Sequence, residues 1–251
     1  LNSAKTNRFQ LAHVLPVIGD LELSKVRPRD IQALILRLRT EGQRMRGAGV
    51  LAPRTVRLIY GTLHTMFEDA AAEELIDNNP CKLRRGQLPH KVDKDPTWRA
   101  DAVFTRQELE LLISHPTISE CRRVSYALKL LAGLRFGEEA ALRWRDYDPD
   151  IAPLGRLQVA ASFDSMRRRV KAVKSERPRT VPVHPVLAKM LAAWKLGGWS
   201  RMVGRVPTPD DLIVPAMRNG EWTHQVRARA LKSLHEDLER LGLRRRRQHD
   251  M

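Results

Sequence analysis

The residues best placed to do chemistry in this chain are charged and grouped. Leu130 to Trp144 reads Leu-Leu-Ala-Gly-Leu-Arg-Phe-Gly-Glu-Glu-Ala-Ala-Leu-Arg-Trp. A helical pattern stops at Gly133, Arg135 follows in a tight turn, and a second short helix starts around Gly137. A guanidinium at such a junction offers a planar fork that fits two oxygens of a phosphate. Taken alone, the segment reads more simply as a surface arginine in a helical hairpin. A second group, Arg167, Arg168, Arg169, Lys171, Lys174, Arg177 and Arg179, has one acidic neighbour, Glu176. A charge run is by default a solvated face. This one is flanked by two strand-like stretches, Leu157–Ala161 and Arg179–Val183. A third group closes the chain: Leu241-Gly242-Leu243, four arginines, then Gln248-His249-Asp250-Met251. A histidine in an arginine-rich tail means nothing without the other two.

Together, and in this order, the three groups resemble the motif boxes of the tyrosine recombinase (phage integrase) family. The first box of that family typically reads Gly-Leu-Arg-x-Gly-Glu with a Leu-Arg-Trp-type ending. The resemblance implies that Arg135 is the first catalytic arginine, on non-bridging oxygens of the scissile phosphate, and that Glu138 helps organise the site. Trp144 is expected to pack. The basic segment leads into Thr180-Val181-Pro182-Val183 as the family's β-hairpin lysine segment leads into its Val-Pro-Leu motif. Lys174 is then the catalytic lysine, the general acid for the leaving 5′ oxygen, with Lys171 the competing assignment. Arg167, Arg168, Arg169, Lys171, Arg177 and Arg179 are expected to contact DNA phosphates without reading bases. His249 resembles the catalytic histidine.

In this family a tyrosine hydroxyl attacks phosphorus and forms a 3′-phosphotyrosyl link that preserves the bond energy for rejoining. The resemblance implies no metal or nucleotide cofactor, double-stranded DNA as partner, and a homotetramer on DNA for the full-length protein. The tyrosines present, Tyr60, Tyr126 and Tyr147, all precede the histidine box, after which the family nucleophile falls. The arginine expected after the His-Asp pair would be the residue following Met251. The chain is therefore expected to be a DNA-binding fragment, truncated at its C-terminal end and cleavage-incompetent. A naturally truncated, noncatalytic regulator of recombination sites is the alternative, and binding of RNA or acidic surfaces is a third. His13, His64, His90, His115, His184, His224 and His235 match no catalytic motif.

The elements that must position these groups read as mainly α with a small β component, an α+β chain. In residues 1–85, Ile31, Leu34, Ile35 and Leu38 follow Pro28 at helical spacing. Val56, Ile59, Leu63, Phe67 and Ala70 follow Pro53, in a helix expected to close at Asn78-Asn79-Pro80. A shorter helix is expected to include Phe9, Leu11, Val14 and Leu15. No β pattern appears there, and by resemblance this is the helical core-binding domain. Residues 86–103, with Pro89 and Pro96 among scattered charges, read as a linker. Residues 104–251 form the integrase-type catalytic domain, opening on a Thr105–Glu108 capping box. Val124, Ala127, Leu128 and Leu131 form one helical face, a helix follows Pro185, Leu212–Val214 is a possible strand, and a last helix spans about Thr223 to Leu241.

Composition sets the background. The chain has 251 residues, of which 42% are hydrophobic, enough for one large domain or two modest ones. No apolar run approaches the roughly 20 residues of a membrane span. Against 29 Asp and Glu stand 45 Lys and Arg, a formal charge of +16. That balance favours a polyanion such as nucleic acid, though ribosome-associated and membrane-surface proteins share it. Cys81 and Cys121 stand far apart and without metal-ligand spacing, so the expected compartment is the reducing cytoplasm.

Overall fold

The computed structural model describes residues 2–41, 50–90, 102–152, 155–173 and 177–247. The chain divides into two compact units, Leu1–Pro96 and Thr97–Met251. The architecture is mainly helical with a small β component, as the periodicity required.

The first unit holds α1 (Asn2–Leu11), α2 (Leu15–Ile18), α3 (Pro28–Thr40) and α4 (Pro53–Ala72). In α3 the buried side chains are Ile31, Leu34, Ile35 and Leu38; in α4 they are Val56, Ile59, Leu63, Phe67 and Ala70. These are the residues that the 3.6-residue period puts on one face, each contributing about 1.5–3 kcal/mol on burial if large and aliphatic or aromatic. Two expectations need correction. The single short helix around Phe9–Leu15 is two helices, because Pro16 sits in the first turn of α2, where its missing N–H is harmless. And α4 stops at Ala72, six residues before Asn78. Glu74 takes φ +57, and the Leu75 N–H reaches back to the Ala70 carbonyl at 2.9 Å. That is a Schellman-type stop built on a glutamate where glycine is the usual signal. Residues 81–90 then lie against this unit: Cys81, Leu83 and Leu88 join its core, and Arg39 and Arg57 donate to the Gln87 and Pro89 carbonyls, both at 3.0 Å. The Gly47–Gly49 loop and residues 91–101 of the expected linker lie outside the described residues.

The second unit opens as the capping box dictates: Thr105 N–H donates to Glu108 Oε2 at 2.7 Å and Glu108 N–H to Thr105 Oγ1 at 3.3 Å, starting α5 (Arg106–Ser114). Next come α6 (Glu120–Ala132) and α7 (Phe136–Ala141). A three-stranded antiparallel sheet runs β1 (Tyr147–Asp148), β2 (Arg156–Val159) and β5 (Arg179–Pro182). Between β2 and β5 the chain makes a separate hairpin, β3 (Ala161–Asp164) and β4 (Arg169–Ala172), in the basic segment that resembles the family's β-hairpin. Leu157 and Val159 turn from β2 into a core shared with Val124, Leu128 and Leu187.

After β5 come α8 (Pro185–Ala193), a wide π-type turn over Trp194–Gly198 and α9 (Trp199–Val203). Leu212–Val214 is not a strand. Its carbonyls are taken by indoles, Trp194 Nε1 donating to Ile213 at 2.7 Å and Trp199 Nε1 to Leu212 at 2.9 Å, which leaves a single bridge to Arg143. A hairpin of β6 (Ala216–Arg218) and β7 (Glu221–Thr223) follows, so α10 spans Arg227–Arg240 and starts four residues later than expected. Trp144 is buried at 3% exposure, with Lys195 Nζ 5.4 Å from its ring centroid. No helix among the described residues is long and apolar enough to cross a membrane.

Candidate active site

Arg135 is presented by the junction of α6 and α7. Helix α6 ends on Gly133 at φ +61, a left-handed conformation that glycine adopts without strain, and the Gly133 N–H caps the Lys129 carbonyl at 3.0 Å. Leu134 drops into the core, and Arg135, with extended backbone, begins α7. A buried ion pair fixes the two helices across this turn: Lys129 Nζ stands 3.1 Å from Glu139 Oε2, and Ser125 Oγ donates to Glu139 Oε1 at 2.9 Å. Lys129 and Glu139 are 2% and 0% exposed in their side chains, so the pair holds the helices in register where water cannot loosen it.

Glu138 is the centre of the site. Its carboxylate is 3% exposed and accepts four hydrogen bonds. The Arg135 N–H reaches Oε2 at 2.8 Å and Arg135 Nη1 reaches Oε1 at 3.1 Å. Arg179, from the start of β5, adds Nη1 to Oε1 and Nη2 to Oε2, both at 2.8 Å. Burial alone would push this carboxyl up; the hydrogen bonds from Arg179 and from Arg135 outweigh it and hold the group at about 2. The Arg135 side chain is 67% exposed, turned away from the core. Arg179, grouped by its charge with the phosphate contacts, instead spends both terminal nitrogens on Glu138.

The basic hairpin is mounted on α7. A Cβ on Gly137 would stand 2.5 Å from Ser162 Oγ and 3.0 Å from the Phe163 carbonyl oxygen, so the glycine between Arg135 and Glu138 is what admits β3. Phe163 packs with Phe136, Ala140 and Ala141, and its other face stacks on His224 at 4.3 Å. At the hairpin tip, Asp164 Oδ1 accepts from the Met166 and Arg167 N–H groups. Arg167, Arg168 and Arg169 project into solvent, Arg168 at φ +52, and Lys171 lies 3.7 Å from Asp164. Arg177 is exposed just before β5. Val173, buried at 3%, pins the chain immediately before Lys174. Lys174 itself lies outside the described residues, as does His249.

The arm leading to His249 is described as far as Arg247. Arg246 is its anchor: the side chain is 7% exposed, Nη2 donates to Glu108 Oε1 at 2.7 Å, and the guanidinium lies 4.5 Å from the Phe104 ring centroid. His235 Nε2 bonds the Arg246 carbonyl oxygen at 3.0 Å. Sequence reasoning found the Thr105–Glu108 box yet missed that the second Glu108 oxygen holds this arm.

The tyrosines are engaged elsewhere. Tyr60, in the first unit, donates to the Cys81 carbonyl at 2.7 Å. Tyr126 is buried and donates to Asp237 Oδ2 at 2.7 Å; burial and that carboxylate push its hydroxyl up. Tyr147 lies in β1, paired with Leu157.

The integrase of Mycobacterium phage FRAT1 is 25% identical over 236 residues, 92% of this chain and 63% of that protein. The chain thus spans under two thirds of that relative's length. Among solved structures, the Tn1549 transposon integrase in complex with circular intermediate DNA matches with a TM-score of 0.68 at 14% identity, covering all of this chain and 78% of that one. The lambda integrase tetramer bound to a Holliday junction matches with a TM-score of 0.61 at 15% identity, covering all of this chain and 64% of that one. No family model matches the chain. The resemblance to the tyrosine recombinase (phage integrase) family is thereby shown: the chain is similar in sequence to phage integrases and has the fold of the DNA-bound integrases.

Proposed function

We propose that this chain carries the DNA-gripping part of a site-specific recombinase that cuts and rejoins strands through a 3′-phosphotyrosyl intermediate. The observation that carries this reading is the Arg135–Glu138 arrangement, a guanidinium held outward by a buried, ionised carboxylate. Such a preplaced donor stabilises charge on a pentavalent phosphate without reorganising during the reaction. Residues 1–85, with residues 86–90 of the expected 86–103 linker packed against them, form the core-binding domain, and 104–251 the catalytic domain. Arg135 grips the scissile phosphate. Lys174 protonates the departing 5′ oxygen as the tyrosine O–P bond forms and the P–O5′ bond breaks. His249 completes the contacts to the phosphate. Arg167, Arg168, Arg169, Lys171 and Arg177 hold the neighbouring backbone. Duplex DNA is the partner and a tetramer on DNA the working assembly, a reading supported by the DNA complexes of the similar integrases.

These 251 residues bind DNA without cutting it. Within its own unit Tyr60 donates its hydroxyl to the Cys81 carbonyl, Tyr126 donates to the Asp237 carboxylate, and Tyr147 belongs to the sheet. A nicked suicide duplex tests both halves of the proposal. The chain should leave no covalent adduct. A form of this chain extended to the length of the phage integrases and carrying a C-terminal tyrosine should form one, slowed about 100-fold or more by Arg135→Ala or Lys174→Ala. A trapped adduct on this chain, or wild-type cleavage by both variants, refutes it.

A further inference from the structure

Position and charge make Arg179 look like one more phosphate contact, but its geometry points to a different task. We propose that Arg179 is a positioning residue: by occupying both oxygens of Glu138 it confines Arg135 to a single-nitrogen contact and leaves the rest of that guanidinium turned outward for phosphate. This rests on the reading of Arg135 as the arginine that grips the phosphate.

An ionised carboxylate offers about four lone-pair sites. All four are filled here, two by Arg179 and one each by the Arg135 N–H and Arg135 Nη1. The preferred pairing of a guanidinium with a carboxylate is the two-pronged fork. With Arg179 absent, Arg135 is the cation left bonded to Glu138 among the described residues and would take that fork itself, turning its second terminal nitrogen inward. Arg179 pre-empts this from a fixed base. Its strand pairs in register with β2, Val159 opposite Arg179 and Leu157 opposite Val181, and the Leu157 and Val183 side chains flanking it are buried to 1% or less. The division of exposure follows: Glu138 is sealed, Arg179 half-covered, and Arg135 open. A lysine at 179 would supply the charge as a point and could not span both oxygens. The depressed Glu138 carboxyl agrees with this arrangement, since Arg179 supplies the strongest of the hydrogen bonds that keep it ionised.

The test uses the whole chain as wild type, Arg135→Ala, Arg179→Ala, the double variant and Arg179→Lys, with two measurements. Fluorescence anisotropy reports affinity for a short duplex. Nitrogen-detected NMR of the free protein reports the Arg135 side chain. A positioning role predicts that Arg179→Ala weakens duplex binding as much as Arg135→Ala, about tenfold. The double variant should lose no more than Arg135→Ala alone, and Arg179→Lys should recover less than half of the loss on a logarithmic scale. The Arg135 guanidinium signals should move in free Arg179→Ala and Arg179→Lys. Losses that multiply in the double variant would make Arg179 an independent phosphate contact and overturn the proposal, as would Arg135 signals that stay put. If wild type itself fails to bind duplex DNA, the recombinase reading falls, and the free-protein signals still decide whether Arg179 controls Arg135. Should Arg179→Ala not fold, Arg179→Lys carries both measurements.

Discussion

Replacing Glu138 with glutamine keeps the shape of the side chain and removes its charge, and the cost of doing so must depend on pH. The carboxyl lies at about 2 in the folded chain against an ordinary 4.5. A folded value below the unfolded one means that stability is gained above the unfolded value and lost as pH falls through the folded one. At about 1.4 kcal/mol per unit, the difference amounts to roughly 3 kcal/mol at pH 7 and roughly 1 kcal/mol at pH 3. The partial exposure of Arg135 and Arg179 trims the pH 7 figure to about 2–3 kcal/mol, because both can rehydrate once the carboxylate is gone. The described tryptophans, Trp144, Trp194, Trp199 and Trp222, all belong to the second unit, so their fluorescence follows its unfolding. Urea titrations of wild type and Glu138→Gln at pH 7 and pH 3 give the gap directly, and every other carboxylate cancels in the difference. A gap of the same size at both values would mean that the charge of Glu138 does not hold the site together.

Three further outcomes follow from the same geometry. Lys129→Met strands the Glu139 carboxylate in the core and should cost about 3–5 kcal/mol in urea titration, while adding Glu139→Leu should recover most of it; no recovery would deny the ion pair its role in joining α6 and α7. Gly137→Ala forces a methyl against Ser162 Oγ and the Phe163 carbonyl and should destabilise the unit by about 1–3 kcal/mol, with Ser162→Ala relieving only part, since the carbonyl remains; a neutral Gly137→Ala would contradict the close approach. Arg167→Ala and Arg169→Ala should each flatten the dependence of log K on log salt for duplex binding by about 0.9, and an unchanged slope would remove them from the phosphate contacts.

How much of this was legible in the sequence depends on which force sets each feature. The faces of α3 and α4 were readable residue by residue, because burial of Ile31, Leu34, Ile35, Leu38 and of Val56 through Ala70 follows the helical period. The Thr105–Glu108 cap was readable because it is a local exchange of hydrogen bonds. What escaped depends on partners distant in sequence. Nothing near Glu74 announces that α4 ends there on a left-handed glutamate. Leu212–Val214 has the composition of a strand, yet two indoles from the preceding helical segment take its carbonyls. Arg179 and Arg246 sit in runs of arginine that read as solvated charge, and each is singled out only by a carboxylate 41 or 138 residues away.

The arginine box itself can be given a physical meaning at each position. Gly133 takes the left-handed turn that ends α6, and Leu134 plugs the junction so that Arg135 must emerge. Gly137 lets β3 lie against the first turn of α7, and the same strand then leads into the arginines of the hairpin tip. Glu138, one turn along from Arg135, points inward and receives Arg179 from the far side of that hairpin. The spacing therefore encodes a joint between a helix pair, a hairpin and a sheet, in which Gly133 supplies the left-handed turn, Gly137 makes room for β3, and Glu138 ties Arg135 to Arg179. A sequence that kept Arg135 and Glu138 but placed alanine at 133 and 137 would retain the charges and lose the geometry that aims them.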